Sequence, residues 1–327
     1  MAYDEEGLDM TLAEKIKKKA LELGFEKAGI CAAEPLEDER ARLEEWLGRG
    51  YHGTMAYMAR NFEKRMDVRK VYPETKSVVV CALNYFQDEK TLWGDNSGAK
   101  ISMYAQGKDY HDVAHEKLSQ LLSFIKTQDE KADGKIYVDT GPLLEKALAA
   151  RTGIGWQGKN TNILTEDAGS FFFIGVLLLN LPLPPDAIPI FDGCRDCTLC
   201  LDACPTQAFP EPYVLDATKC ISYLTIEYKG EINGTLSDKM DGWLFGCDVC
   251  QQVCPYNVRD AEPTTVTEFY ATQELREKIL LDFLSFSEND FKKLFRGTPV
   301  LRTKWKGFMR NCSIAANAMK KEAAWIK

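Results

Sequence analysis

Eight of the eleven cysteines in this 327-residue chain lie between Cys194 and Cys254, and their spacing limits what they can do. Cys194, Cys197, Cys200 and Cys204 follow the pattern Cys-x2-Cys-x2-Cys-x3-Cys, with Pro205 directly after. In such a run three closely spaced thiolates hold one 4Fe-4S cluster and the fourth reaches a second. A second run, Cys247-x2-Cys250-x3-Cys254-Pro255, is one cysteine short, and Cys220 lies between the two. The count closes on two clusters of four ligands. Pseudo-symmetry of the runs then assigns Cys194, Cys197, Cys200 and Cys254 to one cluster and Cys204, Cys220, Cys247 and Cys250 to the other. Zinc and disulfides are the alternatives, since Cys-x2-Cys pairs also build tetrahedral thiolate sites. Three cysteines spaced by two are crowded for a zinc knuckle, and both runs end in Cys-Pro, which favours clusters. Cys31, Cys81 and Cys312 sit in apolar stretches and read as inert core thiols.

Two clusters make a one-electron wire, and a wire needs a terminus. The roughly 180 residues ahead of them are too many for decoration, so a reductase with a redox-active partner or cofactor bound there is the economical expectation. No Gly-x-Gly-x-x-Gly after a strand and no Walker loop is present, which leaves a Rossmann-bound flavin or nicotinamide unsupported. The first residues, Met-Ala-Tyr-Asp-Glu-Glu, have neither a basic nor an apolar leader character, so a reducing cytoplasm is expected. The longest apolar run, Phe171 to Leu183, contains Asn180 and Pro182 and falls short of the ~20 residues of a membrane span. It reads as a buried strand, with no membrane partner.

The elements that must position these groups alternate as an α/β layer structure requires. A capping box, Thr11-x-x-Glu14, opens a helix whose apolar face is Leu12, Ile16, Ala20 and Leu23. Strands are expected at 27–33, 77–83 and 135–139. Helices are expected near Leu43 to Leu47, over 55–65, from Tyr110 to about Thr127, and over 143–152. Two more strands, about 161–165 and 171–179, are joined by Glu166-Asp-Ala-Gly169, which is hairpin chemistry. The proline-rich stretch from Leu181 to Pro189 marks a boundary. The expected domains are thus 1–185 (α/β), 186–258 (double cluster) and 259–327 (helical), with a cap signal at Ser287-x-x-Asp290 and a final helix near 305–319.

Charge is segregated. The whole chain carries −8, but residues 291–327 hold ten Lys and Arg against one acid, a net of +9 on a body of −17. That segment, interleaved with Trp305, Phe308 and Trp325, suits a phosphate backbone. The alternative is a solvated helix whose aromatics pack inward.

Several motifs, Gly50-Tyr-His-Gly-Thr-Met-Ala-Tyr-Met-Ala-Arg60, Asp109-Tyr-His111, Val138-Asp-Thr-Gly-Pro-Leu-Leu-Glu145, Gly153-Ile-Gly-Trp-Gln-Gly-Lys-Asn160, Cys220-Ile-Ser-Tyr-Leu-Thr225 and Gly246-Cys-Asp-Val-Cys-Gln251, together resemble the epoxyqueuosine reductase family. The resemblance covers roughly residues 8–258. It implies a corrinoid-binding α/β domain of the reductive-dehalogenase type, a bacterial ferredoxin-like double-cluster domain and a C-terminal segment shorter than the helical-repeat forms. It also implies base-off cobalamin, a tRNA substrate carrying epoxyqueuosine at the wobble position, and an external one-electron donor such as flavodoxin or ferredoxin acting on a monomer. The family's catalytic aspartate matches Asp139, which ends a strand before a Gly-Pro turn, where α/β enzymes place reactive groups. A proton donor there must be held protonated near neutral pH, which burial against a corrinoid favours; a turn-capping role is the plain alternative.

By the same resemblance Lys159, Asn160, Thr165 and Ser170, with Ser222 and Thr225, fall in corrinoid-binding segments. Arg60, Arg65, Tyr104 and Lys108 suit nucleotide or tRNA contacts, and His111 is structural or substrate-facing, not a cobalt ligand. The sequence departs from the family pattern at Met103, Val176, Gly242 and Trp243. Besides epoxyqueuosine reduction, two readings stay open on residues alone: a paralogous corrinoid reductase for another carbon–heteroatom bond, such as dehalogenation, and a non-catalytic electron carrier.

Overall fold

Two eight-residue runs rich in β-branched and aromatic residues form the centre of the fold. The structure, a computed structural model, describes residues 10–88, 98–188 and 191–325; Pro189 of the proline-rich stretch and the Trp325 side chain lie outside what is described. The strands are β1 (Lys27–Ala32), β2 (Ser77–Asn84), β3 (Lys100–Ile101), β4 (Gly134–Tyr137), β5 (Trp156–Gln157), β6 (Ile163–Leu164), β7 (Phe172–Leu179) and β8 (Trp243–Phe245). The main sheet has the order β1-β2-β7-β4 and is antiparallel throughout. With β2 and β7 central, alternate residues are committed to opposite faces. Val79, Cys81, Leu83, Phe173 and Leu177 pack on one side; Val78, Val80, Ala82, Val176 and Leu178 pack on the other.

The first face is covered by α1 (Leu12–Glu22) and α4 (Tyr110–Gln128), through Ile16, Leu118, Leu121 and Ile125. The expected capping box starts α1: Thr11 N donates to Glu14 Oε2 at 2.7 Å and Glu14 N to Thr11 Oγ1 at 3.3 Å. Gly175 lets α4 come close, because a Cβ there would stand 2.7 Å from Leu118 Cδ1. The second face carries Leu36, just before α2 (Glu37–Gly48), and Leu148 and Ala149 of α5 (Glu145–Arg151). Cys31, Cys81 and Cys312 are all buried in apolar clusters. Burial pushes the Cys31 and Cys81 thiols up to about 12.

Three local expectations are revised. Residues 55–61 form turns, and only α3 (Phe62–Met66) is helical, because Asn61 at its start adopts a left-handed backbone (φ 57°) that no continuous helix allows. The strand at 161–165 does not form a hairpin with 171–179. Instead β6 pairs with β5, and the Glu166–Gly169 turn closes only a bridge between Thr165 and Gly169. The final helix is longer than expected, Lys304–Trp325.

That helix is fixed from within. Phe283, Phe291, Phe295 and Phe308 are fully buried in one cluster with Phe245 of β8, and Trp305 packs against it, so these aromatics face inward. Asn311 donates to the carbonyls of Thr225 and Leu244 at 3.0 and 2.7 Å. Arg310 donates to those of Leu224, Tyr228 and Gly230. The segment therefore clamps α7 (Ile221–Ile226), the helix that begins directly after Cys220. Ser287 and Asp290 form the expected capping box.

Candidate active site

The cysteine runs turn around short helices. Cys200 lies in α6 (Leu199–Asp202), Cys250 in the helix Val249–Gln252, and Cys220 and Cys254 sit at the N-caps of α7 and of Pro255–Asp260. Burial and the nearby thiols of Cys194, Cys254 and Cys197 push the Cys200 thiol up to about 11. Burial comes first at Cys250 too, where the neighbouring thiols that raise it are Cys220, Cys200 and Cys204. At Cys247, after burial, they are Cys250 and Cys220. Cys200 therefore lies near Cys194, Cys197 and Cys254, and Cys250 lies near Cys220, Cys200 and Cys204. Among the described residues no three Cys, His, Asp or Glu side chains converge where a single ion could sit. Backbone N–H groups also point at sulfur, as Ala208 N does to Cys204 Sγ at 3.3 Å. Such hydrogen bonds favour thiolate and tune cluster potential.

Beside the second group lies a cavity of about 970 Å³, at the upper end of the range for small-molecule sites. Cys220, Cys247 and Cys250 line it together with Asp139, Glu145 and Lys146, and Tyr104, Phe172 and Phe173 are among its apolar groups. A second cavity of about 580 Å³ shares Tyr57, Tyr104, Tyr110, Asp139, Ser222 and Arg302 with the first, so Asp139 stands where the two meet. Its backbone is left-handed (φ 50°). Tyr110 Oη donates to Asp139 Oδ2 at 2.9 Å, and the Asp139 N–H donates to Glu145 Oε1 at 2.8 Å. Tyr110 is itself held flat against Phe173, with ring centroids 4.2 Å apart and planes 2° from parallel. Burial, then the Asp139 carboxylate, pushes Glu145 up to about 8. Lys146 Nζ donates to Asn162 Oδ1 and Thr161 O, and desolvation pulls the ammonium below its ordinary value.

Of the other residues singled out in the sequence, Asn160, Ser170, Ser222, Arg60, Arg65 and Tyr104 line the larger cavity. Ser170 is fixed there by a buried network with Gln251 and Asn257. Lys159, Thr165 and Thr225 do not face either cavity. Lys159 Nζ binds the carbonyls of Arg195 and Cys197, bracing the first cysteine run. Thr165 closes the turn to Gly169, and Thr225 accepts Gly246 N and donates into its own helix. Lys108 is an exposed residue outside both cavities, its N–H bound to Glu268 O. His111 lines only the smaller cavity, with Nδ1 2.6 Å from Asp109 Oδ1. None of the four departures lines either cavity: Met103, Val176 and Trp243 are buried in packing and Gly242 is a turn glycine (φ 75°). Tyr110, Glu145 and Lys146 carry no role from sequence, although Tyr110 and Glu145 stand inside motifs already noted, and Arg302 counts there only among the cations of the basic C-terminal segment.

Clustered thiols, an adjoining ligand-sized cavity and a carboxylate lining it define an iron–sulfur oxidoreductase. Family models match residues 65–140 (Epoxyqueuosine reductase QueG, DUF1730) and 193–257 (4Fe-4S double cluster binding domain). The epoxyqueuosine reductase of Leadbetterella byssophila is 48% identical over 91% of this chain and 96% of its own. An epoxyqueuosine reductase crystallised with an epoxyqueuosine-modified tRNA-Tyr stem loop superposes with a TM-score of 0.87 at 34% identity, covering 96% of this chain and 83% of that one. One from Bacillus subtilis, with its aspartate-bearing catalytic loop swung out of the active site, gives 0.85 at 33%, again covering 96% and 83%. This chain belongs to the epoxyqueuosine reductase family. Among its described residues no helix is long and apolar enough to cross a membrane.

Proposed function

We propose that this chain reduces epoxyqueuosine in tRNA to queuosine. The observation that carries the reading is the convergence of Asp139 with Cys220, Cys247 and Cys250 on one cavity, which gives a substrate bound there both a proton donor and an electron source. Removing an epoxide oxygen to leave an alkene consumes two electrons and two protons and releases water. Held by Cys194, Cys197, Cys200 and Cys254 and by Cys204, Cys220, Cys247 and Cys250, two 4Fe-4S clusters would supply those electrons singly. Domains 1–185, 186–258 and 259–327 divide the work into substrate and cofactor binding, electron transfer, and support of the cavity.

The larger cavity fits cobalamin in size and in character, with apolar walls from Tyr104, Phe172 and Phe173 and polar groups from Asn160, Ser170 and Ser222. Among the described residues no histidine lines it, so the chain offers no imidazole to cobalt there. Bound there, cobalamin would supply reduction at the epoxide carbon. Asp139 holds the proton for the leaving oxygen, and Tyr110 fixes Oδ2 in place. The Bacillus subtilis relative likewise has an aspartate in its catalytic loop. The enzyme would work in the cytoplasm, with its tRNA, as a monomer fed by flavodoxin or ferredoxin.

The deciding experiment expresses this chain in cells lacking their own reductase and measures tRNA nucleosides by mass spectrometry. Queuosine should replace epoxyqueuosine; persistent epoxyqueuosine overturns the reading. Anaerobic reconstitution with iron, sulfide and cobalamin should give a base-off cobalt EPR signal, and its absence removes the cofactor.

A further inference from the structure

We propose that Glu145 is the positioning residue of this site: its carboxyl group latches the turn that carries Asp139 and so fixes where the catalytic side chain stands. The inference rests on the reading of Asp139 as proton donor. Residues 139–144 connect β4 and Val138 to α5. Val138 and Leu143 are buried at either end, while Asp139 and Thr140 are exposed to the cavity. Between its anchors the turn has few ties. Arg65 Nη1 reaches the Leu143 carbonyl at 3.4 Å, and Tyr110 holds the Asp139 side chain. The backbone of Asp139 itself is held by Glu145, whose Oε1 accepts its N–H at 2.8 Å.

That bond matters because of the conformation it maintains. A non-glycine residue at φ 50° is strained, and such strain persists only where neighbouring contacts over-determine it. Glu145 opens α5, and an acid in a first turn ordinarily serves its own helix. Here the N-cap, Leu144, provides no side-chain cap, and the carboxyl group folds back to the turn instead. Burial favours its neutral form, and a neutral carboxyl group still accepts the hydrogen bond through its carbonyl oxygen. A glutamine amide has the same shape and the same acceptor. An alanine has neither.

The test compares Glu145→Ala and Glu145→Gln in the cluster-loaded protein by hydrogen–deuterium exchange across residues 137–146 and by turnover of epoxyqueuosine tRNA. Glu145→Ala should speed exchange in this segment and lower kcat, each about tenfold, the factor for one net hydrogen bond. KM for tRNA should not change. Glu145→Gln should restore both readouts to within about twofold of wild type, a rescue that a loss of packing would not show. Wild-type exchange in Glu145→Ala overturns the latch. So does a Gln variant as impaired as Ala, because the charge or proton of Glu145 would then be what counts. If wild type itself fails to reduce epoxyqueuosine, the functional reading falls and exchange alone decides the latch.

Discussion

Asp139 and Glu145 both carry a carboxyl group and are tied by one hydrogen bond, from the Asp139 backbone N–H to Glu145 Oε1, and their surroundings push them toward different tasks. Asp139 is open to both cavities and faces the phenol of Tyr110. Asp139→Asn keeps the size and the hydrogen bond but removes the acid. It should bind cobalamin as wild type does while kcat falls roughly 10²- to 10⁴-fold, the usual span for a general acid; undiminished turnover would place the proton elsewhere. Glu145 makes a prediction about stability. Its folded value of about 8 lies above the ordinary 4.5, so the folded chain binds more protons than the unfolded chain between those limits. Its contribution to stability therefore falls as pH rises from about 4.5 to about 8 and levels above that. Glutamine does not titrate. The melting temperature of Glu145→Gln relative to wild type should rise between about pH 5 and about pH 8, with Asp139, Arg65, Tyr110 and Lys146 common to both proteins. A pH-independent difference would show that Glu145 is charged in the fold.

Elements were legible in the sequence where the signal was local. The alternating commitment of β2 and β7 to two faces follows from unbroken apolar runs, and both capping boxes sit where Thr11 and Ser287 put them. Cysteine spacing marked the cluster domain because cluster ligation is set by short sequence separations. What stayed illegible depends on tertiary approach. Nothing in residues 55–61 announces that Asn61 will turn left-handed, and nothing near Thr165 says that β6 will choose β5 over β7. Glu145 was visible as part of a motif, but its partner is a backbone N–H six residues earlier, and only the turn geometry reveals it. The same limit hid the clamp on α7. Asn311 is fully buried and supplies the carbonyls of Thr225 and Leu244 with donors. Thr225 O has a second donor in Thr303, at 2.8 Å, whereas Asn311→Leu would leave Leu244 O without this one. The expected cost is about 1–3 kcal/mol. Since α7 starts at Cys220, the variant should lose cluster iron at a lower temperature than wild type, read as bleaching of visible absorbance during a thermal scan. Equal retention would mean that the clamp does not support the cluster.

At the scale of the whole molecule the question is how a chain of net charge −8 receives a polyanion. The basic C-terminal segment is less free than its composition suggests. Arg310 is spent on backbone carbonyls, Lys292 pairs with Glu288, and Lys321 pairs with Asp238. Arg302 pairs with Glu227 yet still lines both cavities, so it belongs to the site more than to the outer surface. Among the described residues Lys293, Arg296, Lys306 and Lys320 are exposed and form no ion pair, which makes them the cations available to phosphates outside the cavity. Each phosphate contact releases counterions, so the slope of log affinity against log salt should shrink by about 0.7–0.9 for every contact removed. Arg296→Gln and Lys306→Gln should flatten the salt dependence of tRNA binding in that way and leave kcat at saturating tRNA unchanged. Lys321→Gln, which removes a cation already neutralised by Asp238, should leave the slope as it was. If all three variants keep the wild-type slope, the segment acts on the substrate only through the clamp on α7 and the placement of Arg302, and the polyanion must be met by the rim around Arg60.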